Sequence, residues 1–417
     1  MKKLVALLLA MVMAVATLAG CGGSGDKKDS DDKGTTAAAA ETKAAADDGG
    51  SEETKAAESL ADAVSSNGEK VKMGILIWGT TDALGRNSTM MVEKLVKQVG
   101  GEIVIDSSYT SPETQIQSAE NLIAGGCNCI LIVNSSDTML PKLAQVCQDN
   151  EVYFGLQWRR VMSDEIAAEL DKCEYFVGNT CEDEQEISRR LATNLANGGA
   201  KKIGMIGRPV GDTTYDARWA GVVEVCDNTE MELVAEYRGQ SGAATAAETM
   251  EAVEKFITGN PDLDAIFLTG GTSSQLEGAL SALDKHKKRG EIKLAVVDFI
   301  DADLMKEYLD DGTLFSIAGG HYVDPIFTAA MLVNAVEGNK LSDKPEQIDL
   351  QFIDFRSYDD AIDYYKYVEN DADGVYAYTE EELAAMIKSL NPDATIDSIR
   401  AAASAYSIED VMTRHGN

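Results

Sequence analysis

The side chains with the potential for chemistry gather in short polar stretches, each of which follows an apolar run. These stretches carry amide, hydroxyl, carboxylate and aromatic groups, which together hold a small polar molecule by hydrogen bonds and ring contacts. They lack the glycine spacing of a dinucleotide site, a Walker A lysine motif and a nucleophile elbow. The chemistry indicated is binding, with no cofactor and no catalysis. The stretches are residues 78–84, 134–137, 157–160, 207–212, 269–274, 298–303 and 319–322.

The apolar runs alternate with segments of helical spacing, which predicts βαβ units and a parallel sheet. The run 129–133 is unbroken, as expected of a strand buried on both faces. The pattern restarts near residue 202, so we predict two similar α/β lobes. Ligands of open parallel sheets bind beyond the carboxyl ends of the strands, where the polar stretches fall. The alternative is that these loops are polar only because they cap helices. The predicted strands are 71–78, 102–105, 129–133, 152–156, 202–206, 232–236, 265–268 and 294–297.

The N-terminus predicts export. Lys2 and Lys3 precede an apolar run that is short for a membrane span, and this pattern is typical of a signal peptide. The run ends in Leu-Ala-Gly-Cys at residues 18–21, which resembles the lipobox of bacterial lipoproteins and implies that Cys21 is lipidated. We therefore predict a signal peptide at 1–21 and a disordered acidic linker at 22–69. The folded body would be anchored to the outer face of the cell membrane.

The net charge of −33 argues against nucleic acid as a partner. Six cysteines remain beyond Cys21, and none has zinc spacing. They are either buried thiols or disulfide partners, since export permits disulfides. No metal site is predicted.

Residues 70–360 resemble the type I periplasmic binding proteins of the ribose- and galactose-binding group. The resemblance rests on Asn-Ser-Ser-Asp at 134–137, Phe-Val-Gly-Asn at 176–179, Ala-Arg-Trp-Ala-Gly at 217–221 and Asp-Gly-Thr-Leu at 311–314. It implies two lobes joined by three hinge crossings, near 178–180, 316–320 and 350–356. It places residues 70–178 and 319–350 in the N-terminal lobe. The C-terminal lobe would comprise 179–318 and 351–417, with helical candidates at 380–390 and 396–405 forming an extension that packs on that lobe.

The resemblance also implies a function. Such a protein captures a small solute, here a sugar, by closure of its lobes and delivers it to the permease subunits of an ABC transporter. We expect a monomer. A protein that presents its ligand to a membrane receptor or histidine kinase is the alternative, and an exported enzyme is a third. The export signal and the lack of a helix-turn-helix segment exclude a regulator of the LacI type.

Two ligand-binding residues are carried over from the family motifs. Asn134 matches an amide that bonds sugar hydroxyls, and Arg218 matches an arginine whose planar fork reaches the ligand from the second lobe. The alternative for Arg218 is a structural pairing with Asp212 or Asp216.

The rest of the cleft departs from the family. Gln157-Trp158 stands where the family has Asp-Arg, and the first loop lacks the usual aromatics. Trp78 and Trp158 are predicted to supply the stacking face, or else to pack between the lobes. His321 either donates to the ligand or caps the following helix. The predicted ligand-binding residues are Trp78, Thr81, Asp82, Asn134, Gln157, Trp158, Arg218, Asp298 and His321.

Overall fold

The computed structural model of the protein describes residues 70–240, 244–270, 273–299, 302–355 and 357–417. The predicted signal peptide, linker and lipidated Cys21 lie outside the described residues. Within the described residues the chain builds two six-stranded sheets and a two-stranded hairpin. The α/β class and the two-lobed arrangement are confirmed.

The first sheet is parallel throughout and has the order β11-β5-β4-β3-β1-β2. Strands such as β3 are apolar and fully buried, because helices cover both faces of the sheet. Its strands are β1 (Lys72–Leu76), β2 (Glu102–Asp106), β3 (Cys129–Ile132), β4 (Tyr153–Gln157), β5 (Phe176–Glu182) and β11 (Glu346–Leu350).

The second sheet repeats this order as β12-β10-β9-β8-β6-β7, with β12 antiparallel to β10 and the others parallel. Its strands are β6 (Lys202–Gly207), β7 (Glu232–Arg238), β8 (Ala265–Leu268), β9 (Lys293–Val297), β10 (Leu314–Gly319) and β12 (Ile353–Phe355). The hairpin pairs β13 (Glu369–Asn370) with β14 (Val375–Tyr376).

Helices follow the strands and begin at capping side chains. Asp82, Asp183 and Asp212 each accept a backbone hydrogen bond at the start of a helix. The helices are α1 (Ala83–Lys97), α2 (Pro112–Ala124), α3 (Leu140–Asp149), α4 (Asp164–Leu170), α5 (Glu184–Asn197), α6 (Thr213–Asn228), α7 (Ala246–Gly259), α8 (Ser273–His286), α9 (Ala302–Asp310), α10 (Asp324–Val336), α11 (Tyr358–Asp363), α12 (Glu380–Ala384), α13 (Ile396–Ala405) and α14 (Ile408–Arg414). Short 3₁₀ turns lie at Asp137–Met139 and His321–Val323, and a π-helical turn lies at Tyr364–Val368.

The chain passes between the sheets three times, as the resemblance implies: after β5, after β10 and after β11. The first passage comes later than expected. β5 stays paired with β11 from Gly178 to Glu182, which keeps 179–182 in the first sheet instead of the second lobe. The second passage uses Gly320, whose φ of 80° favours glycine.

The C-terminal extension packs differently from the prediction. Beyond residue 368 it lies mainly on the first lobe and not on the second, because its polar groups meet partners on α10 and at Glu337, the residue that follows α10. The side chain of Asn334 donates to the carbonyl of Met386 at 3.0 Å, and Ser389 donates to Glu337 at 2.6 Å. Phe327 meets the ring of Tyr378 edge-on. Covered by the sheet on one side and by the extension on the other, every residue of α10 is buried.

The six cysteines of the body carry free thiols, and five of them are buried. Burial raises the pKa of Cys181 well above its usual range, which keeps this thiol protonated and unreactive. Of the two interpretations of these cysteines, buried thiols or disulfide partners, the structure supports buried thiols.

Candidate functional site

The ends of β1 and β4 form an aromatic corner. Trp158 follows β4 with a φ of 53°, a conformation that bulky residues seldom adopt. Its ring centroid lies 5.2 Å from that of Trp78, which follows β1. Its indole Nε1 donates a 2.8 Å hydrogen bond to the carbonyl of His321. The buried indole thus ties the first lobe to the second passage, while the Trp78 ring stays 46% exposed.

Next to this corner lies a row of charged groups from the second lobe and the second passage. His321 Nε2 is 3.2 Å from Asp298 Oδ1, and Asp298 Oδ2 is 3.8 Å from Arg218 Nη1. Arg218 is 3% exposed and donates from Nε and Nη2 to Glu184, at 2.6 and 3.2 Å. Its Nη1 donates to the Thr269 carbonyl at 2.9 Å. Arg218 is therefore held by Glu184 and Thr269, and not by Asp212 or Asp216.

The electrostatic surroundings of Arg218, Asp298 and His321 favour the charged, paired forms of these groups. Burial acts to raise the pKa of Asp298, but Arg218 and His321 outweigh it and hold the pKa at about 2. Burial acts to lower the pKa of His321, but the neighbouring Asp298 and the charge of Glu182 raise it above its ordinary value. Positive and negative groups thus compensate one another within the protein. The cleft has little need of a charged ligand to balance them.

Two further carboxyl groups lie at the hinge and were missed by the sequence analysis. Glu182 ends β5 at the first passage, and Asp324 begins α10 just after the second; both are buried. Burial, together with the charge of Asp324, raises the pKa of Glu182 well above its usual range. Burial raises the pKa of Asp324 to about 8. In both groups burial disfavours the charged form, so each acid releases its proton at a higher pH than an exposed carboxyl group does.

Several polar atoms at the strand ends are buried without a hydrogen-bond partner in the described part of the chain. Such atoms cost free energy unless something binds them. They occur in both lobes, at the last residue of β4 and within two residues after β3, β6, β8 and β10, and they include acceptors, donors and a hydroxyl. They are Asn134 Oδ1, Gln157 Nε2, Arg208 Nε, Thr269 Oγ1 and His321 Nδ1.

Arg159 and Thr214 are further site residues that the sequence analysis missed. Arg159 follows the Trp158 corner and donates from Nε to the Asn134 carbonyl at 3.3 Å. Its Nη1 donates across the cleft to the Thr214 hydroxyl on α6, at 3.0 Å. The lobes are therefore in contact here. The sequence does carry a signal, because Arg159 lies in the polar stretch 157–160, one residue after the position at which the family has its arginine.

The structure brings most of the predicted residues together. Trp78, Trp158, His321, Asp298 and Arg218 form one connected set, and the carbonyl of Asn134 joins it through Arg159. Gln157 is buried at the end of the same strand as Trp158.

The first loop contributes least to this set. Asp82 caps α1 and accepts the 2.8 Å bond of Trp78 Nε1, so part of its role is helix capping, as the alternative interpretation expects. Thr81 is exposed, and no hydrogen bond among the described residues joins it to the set.

A cavity of about 400 Å³ lies elsewhere, at the amino ends of β5 and β11. It is bordered by Phe176, Lys340 and Pro345 and contains none of the predicted ligand-binding residues. The cavity is thus at the opposite ends of the strands from the candidate site.

The described residues contain neither a metal cluster nor a membrane span. No cluster of three or more histidine, cysteine or acidic side chains there could hold a metal ion. No helix in that part of the chain has both the length and the apolar character needed to cross a bilayer.

The structure has two lobes, and the strand ends of both carry buried hydrogen-bonding groups that have no partner among the described residues. This is the arrangement of a two-lobed binding protein. A sequence profile described as the periplasmic binding protein domain matches residues 73–340. The chain belongs to this family. No curated protein sequence matches it.

Solved structures agree on the fold. A solute-binding protein of an ABC transporter from Actinobacillus succinogenes 130z, with bound D-allose, has a TM-score of 0.62 at 15% identity, covering 71% of this chain and 100% of that one. The arabinose-binding component of a Shewanella sp. ANA-3 transporter, bound to L-arabinofuranose, has a TM-score of 0.58 at 21% identity, covering 71% and 95%. A 5-methylthioribose-binding protein from Thermotoga lettingae TMO has a TM-score of 0.58 at 14% identity, covering 82% and 99%.

Family membership settles the class of function. Periplasmic binding proteins capture solutes outside the cytoplasm and are carriers, not enzymes. The predictions of a type I binding protein and of no enzymatic activity are confirmed.

Proposed function

We propose that this protein captures a neutral, polyhydroxylated small molecule, a sugar, between its lobes and delivers it to an ABC permease. The observation that carries the proposal is the set of unpartnered polar atoms at the strand ends of both lobes. A sugar hydroxyl both donates and accepts, so one ring can satisfy the Asn134 acceptor together with the Gln157 donor. The compensated charges of Arg218, Asp298 and Glu184 favour a ligand without net charge.

The aromatic corner supports the same ligand class. The exposed ring of Trp78 offers an apolar face against which a sugar ring can stack. The structural relatives include proteins with bound D-allose and L-arabinofuranose, which adds support from the fold. The predicted ligand-binding set then becomes Trp78, Asn134, Gln157, Trp158, Arg218, Asp298 and His321, with Arg159 and Thr214 added and with Thr81 and Asp82 at the rim.

The proposal includes the remaining predictions of location and partners. Cys21 carries the lipid anchor, residues 22–69 form the linker, and the body acts as a monomer at the outer face of the membrane. Labelling with a radioactive fatty acid tests the anchor: the wild-type chain takes up label in a bacterial host, and Cys21→Ala does not. Label in both chains, or in neither, would contradict the assignment of Cys21.

A thermal-shift screen tests the ligand class. Monosaccharides, polyols, nucleosides and amino acids are added singly to the purified protein. A ligand that binds only the folded state raises the unfolding midpoint, by an amount that grows with its concentration relative to Kd. We expect a monosaccharide to do so, and calorimetry then gives Kd. A response confined to amino acids or nucleosides would overturn the sugar assignment while leaving the binding role intact.

A further inference from the structure

The C-terminal segment reaches from the second lobe to the first by a path separate from the three passages. We call residues 358–376 the brace; they comprise α11, the π-helical turn and the β13–β14 hairpin. The family profile ends at residue 340, so the brace lies beyond the matched domain. Its two ends contact different lobes.

The first end of the brace is attached to the second lobe. It follows β12, which is paired with β10, and α11 packs against α9. Phe355 stacks on Phe299 with ring centroids 4.1 Å apart, and Tyr364 meets Phe299 edge-on at 4.7 Å. Aromatic contacts of this kind hold the end firmly, because they combine a large buried area with a preferred geometry.

The other end is attached to the first lobe along α1. Arg86 lies 3.1 Å from Asp371 in an ion pair, and the Lys94 ammonium lies 4.3 Å from the centroid of the Tyr376 ring. Both partners on α1 are in the helix whose cap, Asp82, borders the candidate site. Movement of this end would therefore move one wall of the cleft.

Glu369 stands at the junction of the two attachments. Its Oε1 accepts a 2.6 Å hydrogen bond from Asn87 of α1, and its Oε2 accepts a 2.5 Å bond from the Tyr364 hydroxyl. Asn87 is buried, and so is Tyr364. One carboxylate thus bonds the first lobe with one oxygen and the aromatic cluster on the second lobe with the other. Burial raises the pKa of Glu369, and its two bonds only partly offset this.

The hinge itself is bonded to the brace. The Tyr322 hydroxyl at the second passage donates to the carbonyl of Val368 at 2.7 Å and accepts from the backbone nitrogen of Ala377 at 2.8 Å. Tyr364–Val368, between the two attachments, is a π-helical turn, a form that recurs at functional positions. The brace is therefore fixed at both ends and at the pivot.

We propose that the brace is a fourth link between the lobes and that Glu369 is the positioning residue that limits how far they open. Rotation of the lobes about three passages alone leaves the cleft mouth free. Here, opening must also separate Asn87 from the Phe299 cluster, which breaks the bonds of Glu369. The ligand-free protein is consequently held near its closed form.

A consequence for binding follows. When only a fraction of the free protein is competent, the apparent Kd rises by the inverse of that fraction. Releasing the brace would therefore weaken binding without any change in the groups that touch the ligand. This consequence rests on the proposed function, whereas the limit on opening does not.

The test measures the separation of the lobes without ligand, so that it is independent of the ligand assignment. A ketone-bearing amino acid is introduced at positions 162 and 210 of the full chain and coupled to nitroxides, which leaves the native cysteines untouched. Met162 and Val210 are 54% and 79% exposed and lie in loops after β4 and β6, one on each lobe. Pulsed electron spin resonance then gives the distribution of distances between the labels.

We expect a narrow distribution in the parent chain and an added population at longer distances in Glu369→Ala. Glu369→Gln should restore the narrow form, since its amide can accept from Asn87 and donate to the Tyr364 oxygen. The matched control is Glu337→Ala, which removes another buried acid that bonds the extension, through Ser389 on the first lobe. It should lower stability and leave the distances unchanged.

A folded Glu369→Ala protein with the parent distribution would overturn the proposal. If that variant does not fold, Tyr364→Phe decides the question, because it removes one hydroxyl and keeps the aromatic packing. Longer distances in Tyr364→Phe support the brace, and an unchanged distribution overturns it. Widening in Glu337→Ala as well would show that general loosening, not the link, opens the lobes, and this result also overturns the proposal.

Discussion

The guanidinium of Arg218 on α6 and the carboxylate of Glu184 at the start of α5 form a two-pronged ion pair, with hydrogen bonds of 2.6 and 3.2 Å. The side chain of Arg218 is only 4% exposed and that of Glu184 13%. Burial acts to lower the pKa of Arg218, but Glu184 and Asp298 more than reverse this, so the residue is charged at every accessible pH. An arginine held in this way serves the fold before any ligand arrives.

Arg218→Ala should therefore lower the stability of the ligand-free protein. Removing one member of a buried pair leaves the other charge without a partner, which costs about 3–5 kcal/mol. Urea unfolding of the ligand-free variant measures this loss. Arg218→Lys should recover little of it, because an ammonium cannot reproduce the fork.

Glu184→Gln is the companion variant. It keeps an acceptor for Arg218 but removes the charge, so its loss of stability should be smaller than that of Arg218→Ala. A free energy of unfolding for Arg218→Ala equal to that of the wild type would show that the pair does not stabilise the fold. In that case a role confined to the ligand, as implied by the family motif, would be favoured.

The protons of the hinge acids predict a dependence of stability on pH. The pKa of Asp324 is about 8 in the folded protein, against 3.8 for an exposed aspartate. Below the lower value both states are protonated. Between the two values the unfolded state loses the proton and the folded state keeps it, so stability falls as the pH rises, by about 1.4 kcal/mol per pH unit for one proton. Above the higher value the loss levels off.

Asp324→Asn should remove this slope. The variant keeps the size of the side chain and cannot ionise, so between pH 5 and 8 its free energy of unfolding should fall less than that of the wild type. The difference between the two chains reports Asp324 together with its effect on Glu182, since the charge of Asp324 raises the pKa of Glu182. Urea unfolding at several pH values makes the measurement, and parallel curves for the two chains would contradict a protonated Asp324.

The sequence predicts the fold well where burial is uniform. The run 129–133 has an unbroken apolar pattern, and β3 lies there with every residue buried. The prediction fails where a polar strand is stabilised by residues that are distant in the sequence. β5 contains Asn179, Thr180 and Glu182, which read as a crossing; they remain in the sheet because β11 pairs with them and Thr328 bonds Thr180 at 2.7 Å.

The candidate site shows the same division. The rule that ligands bind beyond the carboxyl ends of parallel strands locates Trp78, Trp158 and His321, and Trp158 does contact the other two. The buried acid pair of Glu182 and Asp324, whose pKa values are raised, has no local signal in the sequence, since it arises only when the first and second passages come together. Likewise, the pattern at 396–405 predicts α13, but its lobe is decided by Arg400, which pairs with Glu346 of β11.

The boundary of the folded body can be tested by truncation. The side chain of Asn128 accepts from the Lys72 nitrogen and donates to the Lys70 carbonyl, both at 3.0 Å, so the body needs Lys70. A chain that begins at Lys70 should be soluble and bind the sugar with the Kd of the full chain. A chain that begins at Gly74 loses both bonds and part of β1, and should be less stable. Failure of the Lys70 chain to fold would place the boundary earlier, within 22–69.

The last prediction concerns Arg159, whose guanidinium crosses the cleft to Thr214 at 3.0 Å. Unlike Arg218 it has no carboxylate partner at hydrogen-bond distance among the described residues, and its other two bonds go to the carbonyls of Asn134 and Trp158. A donor of this kind is available to a ligand, and charged hydrogen bonds contribute about 1.5–3 kcal/mol. Arg159→Ala should raise Kd by about one to two orders of magnitude. The unfolding midpoint of the ligand-free protein should change little, because no buried charge is left unpaired.

Arg160→Ala is the matched control: Arg160 is the next residue, but it pairs with Asp349 within the first lobe, so its loss should leave Kd unchanged. Thr214→Val, which removes only the hydroxyl, separates the contact between the lobes from the contact with the ligand. Calorimetry with the sugar from the screen measures all three variants, and equal Kd values for Arg159→Ala and Arg160→Ala would remove Arg159 from the site.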